Sequence, residues 1–388
     1  MQQLNIGIIG MGFIGVSHIE TARRTGSVCV LAVADADYAL AKCRAEEYGV
    51  PRCYADVDKM IADPEIQVIH NCTPNHLHYP INEKIIRAGK HVFSEKPLGK
   101  TSKESAAMLA LLEENPDVVA GVNFCYRMNP LILDARNRIA DGEIGTPMLV
   151  HGQYLQDWLL YETDYNWRVE SAFGGPSRCV ADIGSHWMDL AQFMLQSRIA
   201  EVCACARTVL PIRKKSLSPV ETFSKSQQPG PYEEINVDTE DYAGALIRFE
   251  NGVTGLFQCS QVSAGRKCSI AIEVDGSTAS FAWQHETSDR MWKGFRDKNN
   301  ELVMRNPSLI HPSARAYTHL PAGHPEGWND AFRNNLQAYY SFILKGKRQI
   351  GQPCDFATFV DRHYLMRVTE AILKSSSERR WVLVDEIG

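Results

Sequence analysis

The chain has 388 residues, of which 44% are hydrophobic and 22% charged, and its formal net charge is −5 at pH 7. This length exceeds what one compact core usually holds and predicts two domains. The small negative charge gives no electrostatic basis for binding nucleic acid or an anionic membrane surface. Because neither an apolar run of transmembrane length nor a leader with an apolar signal core is present, we expect a cytoplasmic protein with no membrane partner.

The first part of the chain alternates short apolar runs with amphipathic helical patterns. The predicted elements are strand 5–9, a helix from 16, strand 28–33, helix 38–48, a short extended segment at 52–54, strand 66–72, helix 79–88, strand 91–94, helix 102–114 and strand 118–123. Repeated βα units of this kind predict a doubly wound parallel sheet. Ligands of such sheets bind beyond the carboxyl ends of the strands, so the loops after the strands are the candidate binding loops.

The pattern changes after Asn123, where longer β-rich runs begin. The predicted elements are helix 131–140, strands 148–155, 202–209, 242–249, 252–260, 268–274 and 277–283, and helices 328–344 and 356–374. Tight-turn pairs such as Asn251-Gly252 and Asp275-Gly276 join several of these strands, which predicts an antiparallel sheet. Residues 211–231, rich in Ser, Pro, Gln and Lys, are predicted to form an exposed loop in which the basic cluster Arg213-Lys214-Lys215 is solvated.

These patterns predict an α/β fold with two domains. Residues 1–123 form an N-terminal Rossmann domain around a doubly wound parallel sheet, and residues 124–388 form the second domain. The eleven cysteines include no CxxC pair, and several fall in apolar strand patterns. Reduced, buried thiols are therefore expected.

A glycine-rich loop, Gly10-Met11-Gly12-Phe13-Ile14-Gly15, follows the first strand, and Asp35 lies beside the end of the second strand, 20 positions after Gly15. This arrangement predicts a nicotinamide dinucleotide site: Gly10 permits a tight turn, Gly12 lets the backbone approach the pyrophosphate, and Gly15 lets the helix pack on the strand. Asp35 is expected to accept hydrogen bonds from the adenosine ribose, which favours NAD over NADP. In the alternative interpretation the glycines serve only the turn and Asp35 caps the next helix.

Three residues have side chains suited to alcohol oxidation, in which a protein base takes the hydroxyl proton while the cofactor accepts the hydride. His186 is the candidate base, and Asp182, four residues earlier in a helical pattern, could orient the imidazole or bind the substrate. Lys96 follows the predicted strand 91–94, where its ammonium group could stabilise alkoxide character. The alternatives are a structural histidine that caps a helix and a surface lysine at a strand end.

Further motifs follow the glycine-rich loop in a specific order. They are Thr73-Pro74-Asn75-His76-Leu77-His78, Glu95-Lys96-Pro97, Asn123-Phe124-Cys125-Tyr126-Arg127, and Gly174-Gly175 leading to Asp182-Ile183-Gly184-Ser185-His186. This order resembles the glucose-fructose oxidoreductase, inositol dehydrogenase and rhizopine-catabolism family over nearly the whole chain. The resemblance implies a C-terminal α/β domain with a large, mostly antiparallel open sheet that carries the substrate site. It also implies a homodimer or homotetramer formed through that sheet, and a Lys96–Pro97 bond that is often cis.

The resemblance assigns roles to individual residues. It implies that Lys96, Asp182 and His186 are catalytic, with His186 as the acid/base. The residues expected to contact NAD are Gly10, Gly12, Phe13, Ile14, Gly15, Asp35, Thr73, Pro74, Asn75, His78, Glu95, Lys96, Asn123, Trp167 and Arg168. The residues expected to bind the substrate are Lys96, Tyr126, Gln156, Asp157, Trp158, Asp182, His186 and His324.

The segment 154–168 is dense in aromatic residues interleaved with Asp, Gln, Asn and Arg. An aromatic face can cover the C–H side of a sugar ring while polar groups bind its hydroxyls, so this composition favours a sugar or polyol ligand. The same aromatics could instead form the core of a loop.

Histidines 70, 76 and 78 lie close in sequence, but neither CxxC nor HExxH spacing supports a zinc site, so no metal is expected. The leading hypothesis is an NAD-dependent oxidoreductase of a sugar, sugar derivative or polyol. The same residues would also serve a redox-neutral sugar-converting enzyme that retains NAD throughout its cycle. A cofactor-binding regulator without turnover is the third hypothesis.

Overall fold

The computed structural model describes residues 3–217, 231–346, 348–349 and 352–388. The chain forms two compact units. The first comprises Met1–Cys125 and Phe332–Tyr364, and the second comprises Tyr126–Ala331 and Leu365–Gly388. The first unit therefore includes a late segment of the chain in addition to the N-terminal region on which the sequence analysis based its Rossmann domain.

Strands and helices alternate in the N-terminal part, and strands predominate after it. The strands are β1 Leu4–Ile9, β2 Val28–Ala34, β3 Arg52–Tyr54, β4 Val68–Asn71, β5 His91–Ser94, β6 Ala120–Val122, β7 Pro147–Leu155, β8 Ile199–Arg207, β9 Ile212–Ser216, β10 Tyr232–Asn236, β11 Tyr242–Phe249, β12 Thr254–Ser260, β13 Ser269–Gly276, β14 Ala279–Gln284, β15 Arg290–Phe295, β16 Glu301–Met304 and β17 Val382–Leu383. The helices are α1 Phe13–Arg24, α2 Tyr38–Glu47, α3 Val57–Ala62, α4 Asn75–Arg87, α5 Ser102–Glu114, α6 Pro130–Ala140, α7 Ser171–Gly174, α8 Ser185–Leu195, α9 Trp328–Leu344 and α10 Phe359–Glu378.

The first unit is built on a parallel sheet of six strands in the order β3-β2-β1-β4-β5-β6. Strands β1 and β4 are buried along almost their whole length, as strands of a sheet covered on both faces are. This strand order is typical of dinucleotide-binding folds and confirms the predicted doubly wound sheet. Because the strands are parallel, the loops after β1, β4 and β5 lie at the same edge of the sheet.

Local sequence signals determine where several helices begin. Thr101 caps α5 by accepting a hydrogen bond from the backbone N–H of Glu104, and this helix has the predicted bounds. Helix α4 begins at Asn75, one turn before the predicted start at 79. Pro80 lies inside this helix, whereas proline is usually found in the first turn.

The second unit is built on a sheet of nine strands in the order β16-β15-β14-β13-β7-β12-β11-β8-β17. All neighbouring strands are antiparallel except β7 and β12, which confirms the predicted, mostly antiparallel sheet. Buried and exposed residues alternate along β11, so one face of the sheet forms core and the other is open. On the buried face, Trp187 of α8 stacks on Phe257 with 5.0 Å between ring centroids, and its indole N–H donates to the carbonyl oxygen of Ala271.

The predicted loop at 211–231 is wrong at its first residues. Strand β9 pairs with β10 in an antiparallel hairpin that is separate from the two large sheets. The sequence of β9 lacks the apolar alternation of a half-buried strand because its one fully buried side chain is Arg213. Residues 218–230 of the predicted loop lie outside the described residues.

None of the described helices combines the length and apolar character needed to cross a membrane. The eleven cysteines are all free thiols, as expected. The expectation that they are buried holds for only part of the set: Cys72, Cys125, Cys179 and Cys259 are buried, whereas Cys43 and Cys205 are exposed.

Candidate active site

The glycine-rich loop after β1 has the geometry that the sequence predicts. Gly10 has φ of +94°, and a Cβ there would lie 2.6 Å from the carbonyl oxygen of Cys72. A Cβ on Gly15 would lie 1.9 Å from the carbonyl oxygen of Gly10, so α1 can pack against the loop only with glycine at this position. A Cβ on Gly12, by contrast, would meet no atom within 4 Å. The loop is therefore closed on two sides by the fold and open at Gly12.

The Asp35 carboxylate is tied to the glycine-rich loop. One of its oxygens accepts from the backbone N–H of Met11 at 2.7 Å, and the other accepts from the N–H of Asp37 at 2.9 Å. The residue that caps α2 is Asp37, whose side chain accepts from the backbone N–H groups of Ala39 and Leu40. This arrangement counts against the alternative in which Asp35 is the helix cap. Each carboxylate oxygen has a second lone pair available for a ribose hydroxyl.

The loops after β4 and β5 are joined through His78. Its ring nitrogens contact the carbonyl oxygen of Thr73, at 2.6 Å, and that of Pro97. Thr73 is fixed in turn by its hydroxyl, which donates to Asn71 at 2.7 Å. The bond between Lys96 and Pro97 is cis. His78, predicted as a cofactor contact, thus holds together the two loops that carry Thr73 and Lys96.

A buried chain of hydrogen bonds that the sequence analysis missed lies behind Lys96. His18 of α1 lies 3.1 Å from a carboxylate oxygen of Glu95 and 2.7 Å from His70 of β4, and the other ring nitrogen of His70 lies 2.8 Å from the hydroxyl of Tyr340. Asn123 donates to the same oxygen of Glu95 at 2.7 Å. His70, weighed as a metal ligand from its spacing, is part of this chain.

Glu95 is ionised within this series of hydrogen bonds. Burial raises the pKa of its carboxyl group, but the hydrogen bond and charge of His18, the charge of Lys96 and the hydrogen bond from Asn123 outweigh burial and lower the pKa to about 2. Burial and the neighbouring His18 lower the pKa of His70 well below its ordinary value. The backbone N–H of Lys96 donates to the second oxygen of Glu95 at 3.3 Å. A fixed negative charge therefore lies next to the candidate catalytic lysine.

These observations fit a dinucleotide. The open side at Gly12 gives a pyrophosphate access to the backbone, and α1 begins directly after this residue, so its N-terminal N–H groups are available to an anion. Asp35 directly follows β2, and its carboxylate oxygens can accept further hydrogen bonds from ribose hydroxyl groups.

In the second unit, Asp182 lies in a π-helical turn, Val180–Gly184, that leads directly into α8. Such turns occur often at functional sites. One carboxylate oxygen of Asp182 accepts a hydrogen bond from Gln261 at 2.9 Å, and the other lies 3.7 Å from Nε of Arg168. The structure thus brings together Arg168 and Asp182, which the sequence analysis assigned to the cofactor and to the substrate respectively. The predicted role of Asp182 in orienting the His186 ring stays a prediction.

His186 lies at the start of α8 among aromatic side chains. The ring of Tyr126 meets it edge-on at 4.9 Å, and the ring of Tyr154 lies 6.2 Å away. The hydroxyl groups of Tyr126 and Tyr154 are 3.0 Å apart, and each is 3.2 Å from Sγ of Cys268. Gln156 donates to the Tyr154 hydroxyl at 3.3 Å. Three predicted substrate residues, Tyr126, Gln156 and His186, therefore belong to one cluster, and Tyr154 and Cys268 complete it.

His285 also belongs to this cluster, and the sequence analysis missed it. Its ring contacts Tyr126 at 4.8 Å in an edge-to-face arrangement. Burial lowers the pKa of His285 to about 4, a shift that Glu286 opposes only weakly. The imidazole is therefore neutral at physiological pH and can both donate and accept a hydrogen bond. No spacing signal in the sequence relates this residue to His186, because the two come from different elements.

The remaining predicted substrate residues lie in different surroundings. Asp157 accepts from Nζ of Lys267 at 2.7 Å and from the N–H of Gly265 at 3.0 Å. Trp158 packs, partly buried, against the cluster Leu159, Val169 and Val237, which supports the alternative of a loop core. Trp167 is stacked under the guanidinium of Arg168 at 4.3 Å. His324 is exposed on a loop, and its carbonyl oxygen accepts from Arg305.

The basic cluster 213–215 is not wholly solvated, so this expectation is wrong for Arg213. Its side chain is fully buried and donates to Asp241 at 2.7 Å, and Asp241 also pairs with the fully buried Arg178. A basic triplet in the sequence does not indicate this burial, because the compensating Asp241 lies 28 residues away, directly before β11.

Among the described residues, one trio has the spacing of possible metal ligands: His151, Glu273 and Asp275. Nε2 of His151 lies 3.4 Å from Asp275 and 4.0 Å from Glu273, on strands β7 and β13. His151 is exposed, and the distances are those of a surface ion pair. The expectation that the protein uses no metal stays a prediction.

Comparisons with known proteins agree with this geometry. The family model described as an oxidoreductase family with an NAD-binding Rossmann fold matches residues 4–124, and the model of the GFO/IDH/MocA C-terminal domain matches residues 132–282. The chain is 28% identical to levoglucosan dehydrogenase of Pseudarthrobacter phenanthrenivorans over the full length of both proteins.

Solved structures give the same result. A levoglucosan dehydrogenase in complex with NADH and levoglucosan matches with a TM-score of 0.87 at 27% identity, covering 99% of this chain and 100% of that chain. An inositol dehydrogenase homologue from Azotobacter vinelandii, complexed with NAD⁺, matches with a TM-score of 0.84 at 28% identity, covering 98% and 97%. With family models matching both of its halves, the chain belongs to the GFO/IDH/MocA family of oxidoreductases.

Proposed function

We propose that the protein is an NAD-dependent dehydrogenase that oxidises a secondary hydroxyl group of a sugar, sugar derivative or polyol. The observation that carries this proposal is the likeness, over the whole of both chains, to a levoglucosan dehydrogenase solved with NADH and its sugar. A relative from Salmonella typhimurium, 30% identical over 39% of this chain, is an inositol 2-dehydrogenase. Both named substrates are rich in secondary hydroxyl groups.

The first unit holds the cofactor in this proposal. The Gly10–Gly15 loop takes the pyrophosphate, Asp35 takes the ribose, and the loops after β4 and β5 line the remainder with Thr73, Pro74, Asn75 and Glu95. Bound NAD supplies the hydride acceptor. Lys96 donates to the substrate oxygen and stabilises the negative charge that develops on it. The Glu95 carboxylate accepts a hydrogen bond from the backbone N–H of this lysine and so helps to fix its backbone.

The second unit supplies proton transfer and substrate recognition. His186 accepts the hydroxyl proton, as a neutral imidazole can near neutral pH. Tyr126, Gln156 and His285 surround it with groups that can both donate and accept hydrogen bonds, which suits a ligand with several hydroxyls. Burial raises the pKa of the Tyr154 hydroxyl well above its ordinary value, so that this group stays a hydrogen-bond donor across the working pH range.

We further propose that the protein forms a homo-oligomer through the open face of the nine-stranded sheet. Large apolar side chains are exposed on this face, among them Leu246 of β11, Leu256 of β12, Trp292 of β15 and Leu302 of β16. An apolar surface of this kind on a sheet commonly pairs with a second copy. Light scattering of the purified protein tests this, and a charged substitution at Leu256 should shift the mass toward the monomer.

A substrate panel tests the proposed activity. Wild-type protein, with NAD⁺ at mildly alkaline pH, is screened against levoglucosan, other anhydrosugars, aldoses, glycosides and inositols, and NADH formation is followed by absorbance. We expect reduction with at least one of these compounds and none with simple primary alcohols. The variants Lys96→Ala and His186→Ala serve as controls for contaminating dehydrogenases. NADH binding without NAD⁺ reduction by any polyol would refute the proposal.

A further inference from the structure

The side chain of Gln261, the residue after β12, links the Asp182 carboxylate to a group of buried charges. This side chain is fully buried. Its amide oxygen accepts from Nη1 of Arg178 at 2.9 Å, and its amide nitrogen donates to Oδ2 of Asp182 at 2.9 Å. The backbone is also fixed, because its N–H donates to the carbonyl oxygen of Asp241 at 3.0 Å and its carbonyl oxygen accepts from the N–H of Leu159 at 3.2 Å.

The partners of Gln261 permit only one orientation of its amide group. An arginine side chain can only donate hydrogen bonds, so the amide oxygen has to face Arg178. The NH₂ group then faces the Asp182 carboxylate, to which it donates a hydrogen bond. The opposite orientation would place two donors against each other on one side and two acceptors on the other. Arg178 therefore determines which hydrogen bond Asp182 receives.

Arg178 is itself held rigidly. Its Nη2 pairs with Asp241, and its Nε donates to the hydroxyl of Thr239 at 3.2 Å. Asp241 also pairs with Arg213 at 2.7 Å and accepts from the backbone N–H of Val209 at 2.7 Å. The side chains of Arg178, Arg213 and Asp241 have 0% exposure. None of these groups can turn without leaving a buried charge unpaired, which is costly.

Asp182 lies at the end of a buried group of charges that comprises Arg178, Arg213, Asp241 and Glu240. Two arginines face one aspartate, Asp241, and the neighbouring carboxyl of Glu240 accepts from Ser177 and from backbone N–H groups rather than from either guanidinium. Asp182, with 15% of its side chain exposed, lies at the open end of this series. Buried ion pairs seldom stabilise a fold better than apolar side chains of similar size would. The free energy that is needed to bury these charges is better explained by the fixed orientation that the cluster gives to Asp182.

We propose that Gln261 is a positioning residue for the reaction, one that holds the Asp182 carboxylate in the orientation in which the substrate meets it. This inference rests on the proposed function, since it requires that Asp182 serve the reaction. Arg168 approaches the other carboxylate oxygen at 3.7 Å, beyond hydrogen-bond distance. Loss of Gln261 would therefore remove the 2.9 Å hydrogen bond that fixes Oδ2 of Asp182 from the buried side.

The test is a double-mutant cycle measured on the best substrate from the panel. Methionine has nearly the length and volume of glutamine but no donor, so Gln261→Met should lower kcat/KM by roughly 10- to 100-fold through misplacement of Asp182. Asp182→Asn should lower it at least as much. In the Asp182→Asn background, Gln261→Met should change kcat/KM by no more than about twofold, because the two residues act through one group.

A matched control comes from β12, the strand that directly precedes Gln261. Gln258 of β12 is exposed and donates to Gln153 at 3.1 Å, away from the buried charges. Gln258→Met should leave kcat/KM and NADH affinity within about twofold of wild type. Thermal unfolding and NADH titration of every variant show whether it is folded. If Gln261→Met does not fold, Gln261→Asn, which keeps the amide but shortens its reach, takes its place in the cycle.

The outcomes separate the inference from the proposed function. If Gln261→Met lowers kcat/KM by the same factor with and without Asp182→Asn, Gln261 acts independently of Asp182 and the inference is overturned. If Gln261→Met lowers only the unfolding temperature, its role is structural and the inference is likewise overturned. If Asp182→Asn itself retains wild-type kcat/KM, the proposed role of Asp182 fails before Gln261 is considered.

Discussion

Replacing His18 with leucine should destabilise the first unit, because the buried Glu95 carboxylate would lose its partner. Glu95 is 7% exposed, and His18 is its principal partner at 3.1 Å. Leucine preserves an apolar side chain at this position but can neither donate a hydrogen bond nor carry charge. The hydrogen bonds from Asn123 and from the backbone N–H of Lys96, together with the charge of Lys96, would then remain to compensate the Glu95 carboxylate.

The cost of leaving a buried charge unpaired gives the size of the effect, and the pKa of Glu95 gives the pH range in which it appears. Lowering a carboxyl pKa from 4.5 to about 2 corresponds to about 3 kcal/mol in favour of the folded state at neutral pH. Because the folded-state pKa is the lower one, this contribution is fully present above about pH 4.5 and is lost as the pH falls toward about 2. Breaking a buried pair on one side costs about 3–5 kcal/mol. We therefore expect His18→Leu to lower the free energy of unfolding by about 3 kcal/mol.

Urea unfolding of three proteins measures this. Besides wild type and His18→Leu, the set includes His18→Leu with Glu95→Gln, in which a neutral side chain of the same shape replaces the uncompensated carboxylate. The double variant should recover most of the lost stability. The difference between wild type and His18→Leu should also narrow as the pH falls below about 4.5. A double variant no more stable than His18→Leu, or a loss independent of pH, would refute the reasoning.

Three further expectations concern the ligands. Fluorescence titration should show tighter binding of NADH than of NADPH. Asp35→Ser combined with Ala36→Arg should move this preference toward NADPH. Equal affinities of the wild-type protein for the two cofactors would show that Asp35 does not face the ribose. Lys96→Ala and His186→Ala should each lower kcat by about 100-fold or more, while the affinity for NADH stays within a few-fold of wild type. If His186→Ala keeps nearly wild-type turnover, His186 is not the base. Trp158→Ala should lower the unfolding temperature because of its packing against the core, whereas a rise in KM of roughly tenfold without loss of stability would support a sugar platform.

The parts of the fold and site that sequence reasoning predicted are those encoded locally. The atoms that would clash with a Cβ on Gly10 or Gly15 lie within a few residues of the loop or next to the adjacent strand. The spacing of the glycines in the sequence therefore indicates where glycine is required. The Thr101 cap and Glu104 likewise define the start of α5 within four residues. The alternating strands β11 and β12 follow from period-two hydrophobicity.

The missed parts depend on residues that only the tertiary fold brings together. His18, His70 and Glu95 come from α1, β4 and the end of β5, and no spacing in the sequence indicates that they contact one another. Burial of Arg213 requires Asp241, which is 28 residues away. The π-helical turn at Val180–Gly184 is too short for hydrophobic periodicity to distinguish it from the first turn of an α-helix.

Transfer of a labelled hydride is the measurement that decides whether this protein is a sugar or polyol dehydrogenase. The best substrate of the panel is prepared with deuterium on the carbon that bears the reacting hydroxyl and is incubated with NAD⁺ and wild-type protein. We expect one deuterium per turnover on C4 of the nicotinamide, with a ketone formed in equal amount, and none with His186→Ala although it binds NADH. Deuterium that stays on the sugar, or NADH formed without label, would contradict direct hydride transfer from the substrate.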